Sequence, residues 1–250
     1  MEKRGYQYQY SETREAMFDQ TGRRRKAATM ISVLSEYLDK PLNELSVLNV
    51  GGSAGIIDEY LSRYFSQVVG IDIDERAIFH AKENFRQDGL LFEIGDAMNL
   101  KYENGSFDVV ICSQVYEHVS DAGKMMSEIY RVLKPQGVVY FAAGNRLMFN
   151  EPHYNLPLLS VVPRPLAHIY VRLAGKADSY YEKHLSYWGL KKLVRDFEVI
   201  EYTSKIVSDP EKYNVSYMLE AGSGKQKIAM FISKYMSWLV PGYIWLLKKT

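Results

Sequence analysis

The chain has 250 residues, 47% of them hydrophobic and 24% charged, and these proportions exclude a fibrous or an intrinsically disordered protein. The net charge of +1 provides no broad basic surface, so we predict no nucleic-acid partner. The single cysteine, Cys112, excludes an internal disulfide and a cysteine-rich zinc site, so we predict no metal and a cytoplasmic location.

The first predicted element is a helix over 24–38, where apolar residues recur at helical spacing until Pro41 helps to end it. The next three elements are a buried strand over 45–50, a glycine-containing turn over 51–55 and a helix over 56–65. The same alternation predicts further strands over 68–73, 90–95, 107–113 and 137–143, with helices over 75–85 and 122–133.

This alternation of short apolar strands and amphipathic helices is typical of an α/β fold in which helices cover both faces of a mostly parallel sheet. Beyond Asn145 four prolines interrupt the pattern, and we interpret 146–185 as an inserted cap. The remaining predicted elements are a helix over 187–196 with Ser186 as N-cap, a strand over 197–207, a mainly helical insertion over 211–240 and a last strand over 242–249.

No apolar run is long enough to cross a bilayer, which requires roughly 20 residues. The charge-free segment 235–247 is too short for this, and Pro241 and Gly242 interrupt it. Its tryptophans and tyrosines leave peripheral membrane contact open, although the last strand of the sheet is the preferred interpretation.

The turn after the first strand contains Gly51, Gly52 and Gly55, which allow a ligand to approach the backbone closely. Asp72 ends the second strand, 21 residues after Gly51, where an acid can accept hydrogen bonds from ribose hydroxyls. The pattern therefore predicts an adenosine ligand. A dinucleotide fingerprint requires further glycines, and Ser53 stands at one of those positions, which disfavours NAD and a nicotinamide-dependent reductase.

Over about 45–145 the sequence resembles the class I S-adenosylmethionine-dependent methyltransferases, in particular the type 11 group. Four segments in order carry the resemblance: VLNVGGSAG, VVGIDID, GDAMNLKYENGSFDVVICSQVYEHV and EIYRVLKPQGVVYF. It implies a doubly wound, seven-stranded, Rossmann-like methyltransferase fold with an inserted cap, and S-adenosylmethionine as cofactor. The resulting division is a helical lead over the cofactor site (1–44), a cofactor-binding core (45–145), a cap or substrate insertion (146–185) and the C-terminal part of the sheet (186–250).

The resemblance also implies roles for individual residues. The glycine turn would line the methionine end of the cofactor, Asp72 would hold the ribose, and Asp96 would accept a hydrogen bond from the adenine amino group. The full set of implied cofactor contacts is Asn49, Gly51, Gly52, Ser53, Gly55, Asp72, Ile73, Asp96, Ala97, Ser113 and Gln114.

Two of these positions depart from the family pattern, which usually has an acid where Asn49 stands and a glycine where Ser53 stands. Asn49 can still accept a hydrogen bond, but it has no charge to attract the ammonium group of the cofactor. The departures therefore leave open a non-catalytic protein that binds S-adenosylmethionine in a regulatory or scaffold role.

An oxygen nucleophile must lose its proton, so a base near the transferred methyl group would help. The histidines His118, His153 and His184 are the candidate catalytic residues, although His118 can also simply pack against the following helix. We predict O-methylation of a small-molecule, sugar or lipid-linked glycan acceptor, with a quinone or phenol as the alternative. The alternating Tyr6, Tyr8 and Tyr10 fit either a strand or an arm folded over the cofactor.

Overall fold

The computed structural model describes residues 7–8, 10–13 and 15–249, and the structural statements below concern these residues. Seven strands form one sheet in the order β3-β2-β1-β4-β5-β9-β8, and two short strands form a separate hairpin. The strands are β1 Ser46–Val50, β2 Gln67–Asp72, β3 Leu90–Ile94, β4 Phe107–Ser113, β5 Leu133–Gly144, β6 Asn150–Glu151, β7 Leu156–Pro157, β8 Glu198–Glu201 and β9 Gly242–Lys248.

Several of the helices begin where a side chain accepts a hydrogen bond from an otherwise unpaired backbone N–H group. Asp74 accepts from Ala77 N, Asp121 from Lys124 N, and Ser186 from Gly189 N. The helices are α1 Tyr10–Thr13, α2 Gln20–Tyr37, α3 Ile56–Leu61, α4 Glu75–Asn84, α5 Ala122–Val132, α6 Arg164–Leu173, α7 Tyr187–Leu193, α8 Thr203–Ser208 and α9 Gly224–Tyr235.

The order of the strands in the sheet indicates where a ligand crevice would lie. The strands β1 to β5 run parallel, while β9 pairs antiparallel with both β5 and β8. From β1 the chain first extends the sheet through β2 and β3, and then returns to place β4 on the other side of β1. Such a reversal opens a crevice at the carboxyl ends of the central strands. The predicted doubly wound, mostly parallel, seven-stranded fold is thus confirmed.

Two hydrophobic clusters cover the two faces of this sheet. One contains Leu48, Val110 and Phe141 together with residues of α5 and α7. The other contains Val47, Val109 and Tyr140 together with residues of α2, α3 and α4. Adjacent residues of the same strand enter different clusters because successive side chains of a strand point to opposite faces. This two-sided burial explains the nearly continuous apolar runs of the central strands.

The predicted strand over 197–207 is wrong beyond Glu201. The strand β8 ends there and α8 begins at Thr203. The carboxylate of Glu201 accepts hydrogen bonds from Thr203 N at 2.8 Å and from Ser204 N at 3.0 Å, and so caps the first turn of the helix. The β-branched residues of 203–207 favoured a strand, but this local cap favours the helix.

Smaller differences concern element boundaries. The first predicted helix begins earlier, at Gln20, where the side chain of Asp19 provides an N-cap. The helix α3 ends at Leu61 instead of residue 65, and β5 begins at Leu133 instead of residue 137.

The aromatic segment near the end of the sequence contributes mainly to the sheet. Trp245 lies in β9 and is fully buried, whereas Trp238 precedes the strand and is partly exposed. Within the described residues, none of the helices combines the length and the apolar character needed to span a membrane.

Residues 146–185 contain the β6–β7 hairpin and α6, and they enclose a small hydrophobic cluster of their own. Tyr154, Leu159, Val171 and Tyr180 are buried within it. The segment returns to the sheet at Leu185, whose backbone oxygen accepts a hydrogen bond from Arg146 N. The two ends of the segment are therefore held together beside the carboxyl end of β5.

Candidate functional site

The glycine turn after β1 requires glycine at two positions. Gly51 and Gly55 have φ values of 74° and 79°, in the left-handed region that residues with a Cβ rarely adopt. A Cβ on Gly51 would lie 2.7 Å from Val115 Cγ2, and a Cβ on Gly55 would lie 2.7 Å from Ala81 Cβ. The turn therefore packs closely against Val115 and Ala81 and leaves no room for a side chain at these two positions.

Ser53 also adopts the left-handed conformation, with a φ of 58°. Its backbone N–H donates to Asp72 Oδ2 at 2.8 Å, which links the turn to the end of β2. Its hydroxyl oxygen is buried and has no hydrogen-bond partner in the described part of the chain. The positive φ explains why the family usually has glycine here, since serine keeps the same turn only at a conformational cost.

Asp72 lies at the carboxyl end of β2 and is held by backbone donors. Besides Ser53 N it accepts from Asp74 N, at 3.0 Å. Burial raises the pKa of Asp72 above its ordinary value, while these hydrogen bonds act in the opposite direction. The side chain is only partly covered, so its carboxylate remains near the crevice.

Asn49 is paired with an acid that sequence reasoning missed. The Nδ2 group of Asn49 donates to Asp58 Oδ1 at 2.8 Å, and both side chains are buried. Asp58 lies directly beneath the turn, since a Cβ on Gly52 would lie 2.8 Å from its Oδ2. Burial raises the pKa of Asp58 to about 7, with the hydrogen bond from Asn49 opposing the shift. An acid is thus present at this site, although on α3 instead of β1.

The predicted adenine contacts lie at the ends of β2 and β3. Gly95 N donates to Asp72 O at 2.9 Å, which holds these two strand ends together. Asp96 Oδ1 accepts from Met98 N at 2.8 Å, so part of this carboxylate stabilises its own turn. Ile73 and Ala97 are half-buried on the same edge. Their contacts with adenine stay predictions.

Ser113 and Gln114 continue this edge at the end of β4. Gln114 is exposed and has a φ of 58°, and its backbone N–H donates to Ala142 O at 2.9 Å. A Cβ on Gly144 would lie 3.5 Å from Gln114 Oε1 and 3.5 Å from His184 Nδ1. Gln114, a predicted cofactor contact, therefore meets one of the predicted catalytic histidines at Gly144.

The structure brings the three predicted catalytic histidines together from separate segments. His118 follows β4, His153 follows β6, and His184 lies near the end of the 146–185 segment. The ring centroids of His118 and His153 are 4.8 Å apart, and those of His153 and His184 are 5.8 Å apart. Their roles stay predictions, but they form one cluster on the β4–β5 side of the crevice.

Glu151 connects two of these histidines. Its Oε1 lies 2.5 Å from His153 Nδ1 and 3.2 Å from His184 Nε2, while its Oε2 accepts from Tyr154 N. Burial alone would raise the pKa of Glu151, but the two imidazoles lower it to about 2. Burial alone would lower the pKa of His153, but Glu151 and the charges of Glu182 and Glu117 raise it. The carboxylate and the His153 imidazole therefore favour the charged state of one another.

Two more acids, Glu117 and Glu182, are buried beside the histidines. The backbone oxygen of Glu117 accepts from Lys183 N at 3.0 Å, which joins the end of β4 to the returning segment. Burial raises the pKa of Glu117, and the nearby His184 and His153 oppose this shift. A sequence signal existed: each histidine of the cluster follows a glutamate by one or two positions, in the pairs Glu117–His118, Glu151–His153 and Glu182–His184.

The described part of the N-terminal lead contacts both sides of the crevice. Ser11 N donates to Asp74 Oδ2 at 2.7 Å, and the ring of Tyr10 lies 5.1 Å from that of His118. Tyr6, part of the predicted tyrosine pattern, lies outside the described residues. Tyr8 is exposed in a single 3-10 turn, so no strand forms at this point of the described chain.

Residues 48–141 match a family model described as a methyltransferase domain. The ubiquinone biosynthesis O-methyltransferase of Thiobacillus denitrificans is 31% identical over 159 residues, which cover 62% of this chain and 65% of that protein. The enzyme of the same name from Pelagibacter ubique is 31% identical over 114 residues, covering 44% and 46% respectively. The chain thus spans about half to just under two thirds of the length of these two curated relatives.

The fold is also similar to solved structures. An S-adenosylmethionine-dependent methyltransferase from Mesorhizobium loti superimposes with a TM-score of 0.57 at 17% identity, over 90% of this chain and 100% of that chain. At this identity the similarity concerns the fold alone.

Proposed function

Because this chain carries a class I S-adenosylmethionine-dependent methyltransferase domain, a family whose cofactor is S-adenosylmethionine, we propose that it transfers a methyl group to a hydroxyl oxygen of a small-molecule acceptor. The observation that carries the proposal is the position of the histidine cluster. His184 and Gln114 meet at Gly144, so the cluster adjoins the edge where the cofactor contacts are predicted.

The residues at the carboxyl ends of β1 and β2 fit the cofactor. The turn has a left-handed glycine at Gly51, and the buried hydroxyl of Ser53 has no partner among the described residues. The carboxylate of Asp72, at the end of β2, is the group that would accept hydrogen bonds from ribose hydroxyls. When bound, S-adenosylmethionine supplies a methyl group on a positively charged sulfur, which mainly requires an aligned nucleophile. Asp58 places the carboxyl group that Asn49 lacks close to the predicted methionine end.

His118 is the residue that we propose as proton acceptor. It follows β4, it is partly exposed towards the crevice, and its ring contacts both Tyr10 and His153. His153 and His184 are held by the buried Glu151 and would position the acceptor beside it. A positioned base typically contributes about 100- to 10,000-fold to the rate.

The relatives favour a phenolic acceptor over a glycan. The two curated relatives reported above are named ubiquinone biosynthesis O-methyltransferases, and such a name refers to oxygen methylation on the route to a quinone. A phenolic hydroxyl also loses its proton much more readily than a sugar hydroxyl, which suits a histidine base. We therefore place phenols before sugars and lipid-linked glycans as the acceptor class.

The proposal is tested with the purified chain, S-adenosylmethionine carrying a labelled methyl group, and two acceptor panels, one of substituted catechols and phenols and one of glycans. We expect the label in a new methyl ether group of at least one phenol, and we expect Asp72→Ala to form less of this product at a limiting cofactor concentration. Tight cofactor binding with no transfer to any member of either panel would instead support the regulatory or scaffold alternative.

A further inference from the structure

The histidine cluster is an unusual concentration of ligating groups in a dry environment. Three glutamates and three histidines meet there, although they come from three segments of the chain. The side chains of Glu117, Glu151 and Glu182 are at most 1% exposed. Carboxyl groups removed from water in this way either take up a proton or require compensation by positive charge.

Three of these groups have the mutual geometry of metal ligands. One ligand atom from each of Glu151, His153 and His184 lies within 4.8 Å of the other two. Both imidazoles direct a nitrogen at the same oxygen, Glu151 Oε1, at 2.5 Å and 3.2 Å. Nitrogen and oxygen ligands of Zn²⁺ each lie about 2.0 to 2.2 Å from the ion, so tetrahedral ligands are about 3.3 Å apart. The separation between His184 Nε2 and Glu151 Oε1 is close to this spacing, and that between His153 Nδ1 and Glu151 Oε1 is shorter.

A second observation, at Glu182, also favours a cation-binding role for this cluster. Glu182 is 1% exposed, and neither of its carboxylate oxygens has a hydrogen-bond partner in the described part of the chain. It lies two residues before His184 and close enough to His153 to interact with it electrostatically. The guanidinium of Arg164 donates to the backbone oxygen of Glu182, at 3.5 Å. The carboxyl group of Glu182 is thus buried beside the histidines without a hydrogen-bond partner among the described residues.

We propose that Glu151, His153 and His184 bind a divalent first-row transition metal ion such as Zn²⁺, with Glu182 as a neighbouring counter-charge. Two imidazoles and a carboxylate are the donor set that these ions prefer, whereas Mg²⁺ and Ca²⁺ prefer oxygen ligands alone. The proposal departs from the sequence-based expectation of no metal, which considered cysteine ligands. Three protein ligands leave a coordination position for an outside oxygen.

The chemistry of that open position rests on the proposed function, whereas metal binding itself does not. An acceptor hydroxyl coordinated there would lose its proton more readily, and His118, which is not among the three ligands, would receive the proton. The O–H bond would break as the proton passes to the imidazole, and the oxygen would use that electron pair to form a bond to the methyl carbon. The bond between the methyl carbon and the sulfur would break at the same time, with its electron pair going to the sulfur, so that the cofactor would leave as the neutral thioether.

The direct test is a titration of the purified, chelator-treated chain with Zn²⁺ in a calorimeter, followed by Co²⁺ as a spectroscopic probe. We expect one ion per chain and visible Co²⁺ absorption bands from a low-symmetry site. Glu151→Gln and His184→Gln should each weaken Zn²⁺ binding by about 10- to 100-fold or more. Loss of a residue that only hydrogen-bonds to a metal ligand already has an effect of this size, and loss of a ligand itself should matter at least as much.

The matched control is His80→Gln, because His80 is another of the five histidines and lies against Phe18, away from the cluster. It should bind Zn²⁺ like the wild type. Circular dichroism and the melting temperature establish that each variant is folded. Should His184→Gln unfold, His153→Asn replaces it, since His153 is more exposed and its loss leaves a smaller cavity.

Absence of stoichiometric Zn²⁺ binding, or binding that persists in both ligand variants, overturns the proposal. Methyl transfer by the chelator-treated protein at the wild-type rate, without Zn²⁺ binding, would refute the metal site and leave the proposed function standing. Zn²⁺ binding that depends on the ligand residues, without transfer to any acceptor, would refute the function and leave the metal site standing.

Discussion

The two sides of the crevice are constructed in different ways. The cofactor side is formed by one continuous strand–turn–helix–strand unit from β1 to β2, in which Ser53 contacts Asp72 19 residues later. The histidine side is assembled from three segments, and Glu151 reaches His184 across 33 residues. Residues of a continuous unit have a recognisable spacing in the sequence. Residues of the histidine cluster are far apart in the sequence, and only the tertiary fold brings them together. The first side can therefore be located from the sequence and the second only in part.

The largest expected effect tests whether the two sides act separately. His118→Gln should lower kcat by about 100- to 10,000-fold because it removes the proposed proton acceptor. The dissociation constant for S-adenosylmethionine should stay unchanged, since His118 lies outside the glycine turn. Steady-state kinetics and calorimetry measure the two quantities, with His80→Gln as the control. Wild-type turnover in His118→Gln would assign this histidine a packing role only.

A second prediction concerns Asp58, beneath the cofactor side. Burial raises its pKa from 3.8 to about 7, so the folded state retains a proton that the unfolded state loses over this interval. The free energy of unfolding should therefore fall as the pH rises from 3.8 towards 7, and then become constant. Asp58→Asn has no titrating group at this position, so this part of the pH dependence of the free energy of unfolding should disappear.

The measurement for Asp58 is urea denaturation of both proteins at about pH 5 and about pH 8. Relative to the wild type, Asp58→Asn should gain about 3 kcal/mol between these two pH values, from about two pKa units at 1.36 kcal/mol each. An identical pH dependence in the two proteins would show that Asp58 is not the buried titrating group.

A third prediction concerns Asp72, for which the cofactor contact is proposed. Asp72→Ala should weaken S-adenosylmethionine binding by about 1 to 3 kcal/mol, since hydrogen bonds to a charged carboxylate are lost. Calorimetry measures the affinity, and Asp108→Ala provides a control acid at the opposite end of the sheet, where it accepts from Ser46 N. Equal affinity in wild type and Asp72→Ala would contradict the placement of the ribose.

The smallest expected effect concerns the strained residue in the glycine turn. Ser53→Gly should stabilise the fold by up to about 1 kcal/mol, because glycine adopts a φ of 58° without the Cβ penalty. Ser53→Ala keeps the Cβ and should not show this gain. Thermal unfolding of both variants separates the two cases, and a lower melting temperature for Ser53→Gly would mean that the hydroxyl has a stabilising partner.

Much of the fold could be predicted because its signals are local. The glycine turn, the apolar strands and the acids that cap α4 and α5 each determine their own element. Asp58 was missed because an acid in the first turn of a helix is ordinarily explained by the helix dipole. The side chain faces inward, next to the buried Ile57 and Leu61, and this inward position was the available signal.

The histidines were identified individually, but their convergence could not be predicted. Nothing local shows that the segment after β5 returns to the end of β4, where Lys183 N bonds the backbone oxygen of Glu117. The recurring Glu–His pairs were visible in the sequence, yet a surface charge pattern would have the same appearance. Their burial is what distinguishes them, and burial follows from tertiary packing.

The position of β9 has a consequence for the order in which the protein can fold during translation. This strand hydrogen-bonds to β5 on one side and β8 on the other, yet it is synthesised after both. Until residue 248 has left the ribosome, the outer edge of β5 stays unpaired, and β8 has no neighbour to join. The nascent chain therefore presents an open strand edge, the kind of surface that promotes aggregation, until the final strand closes it.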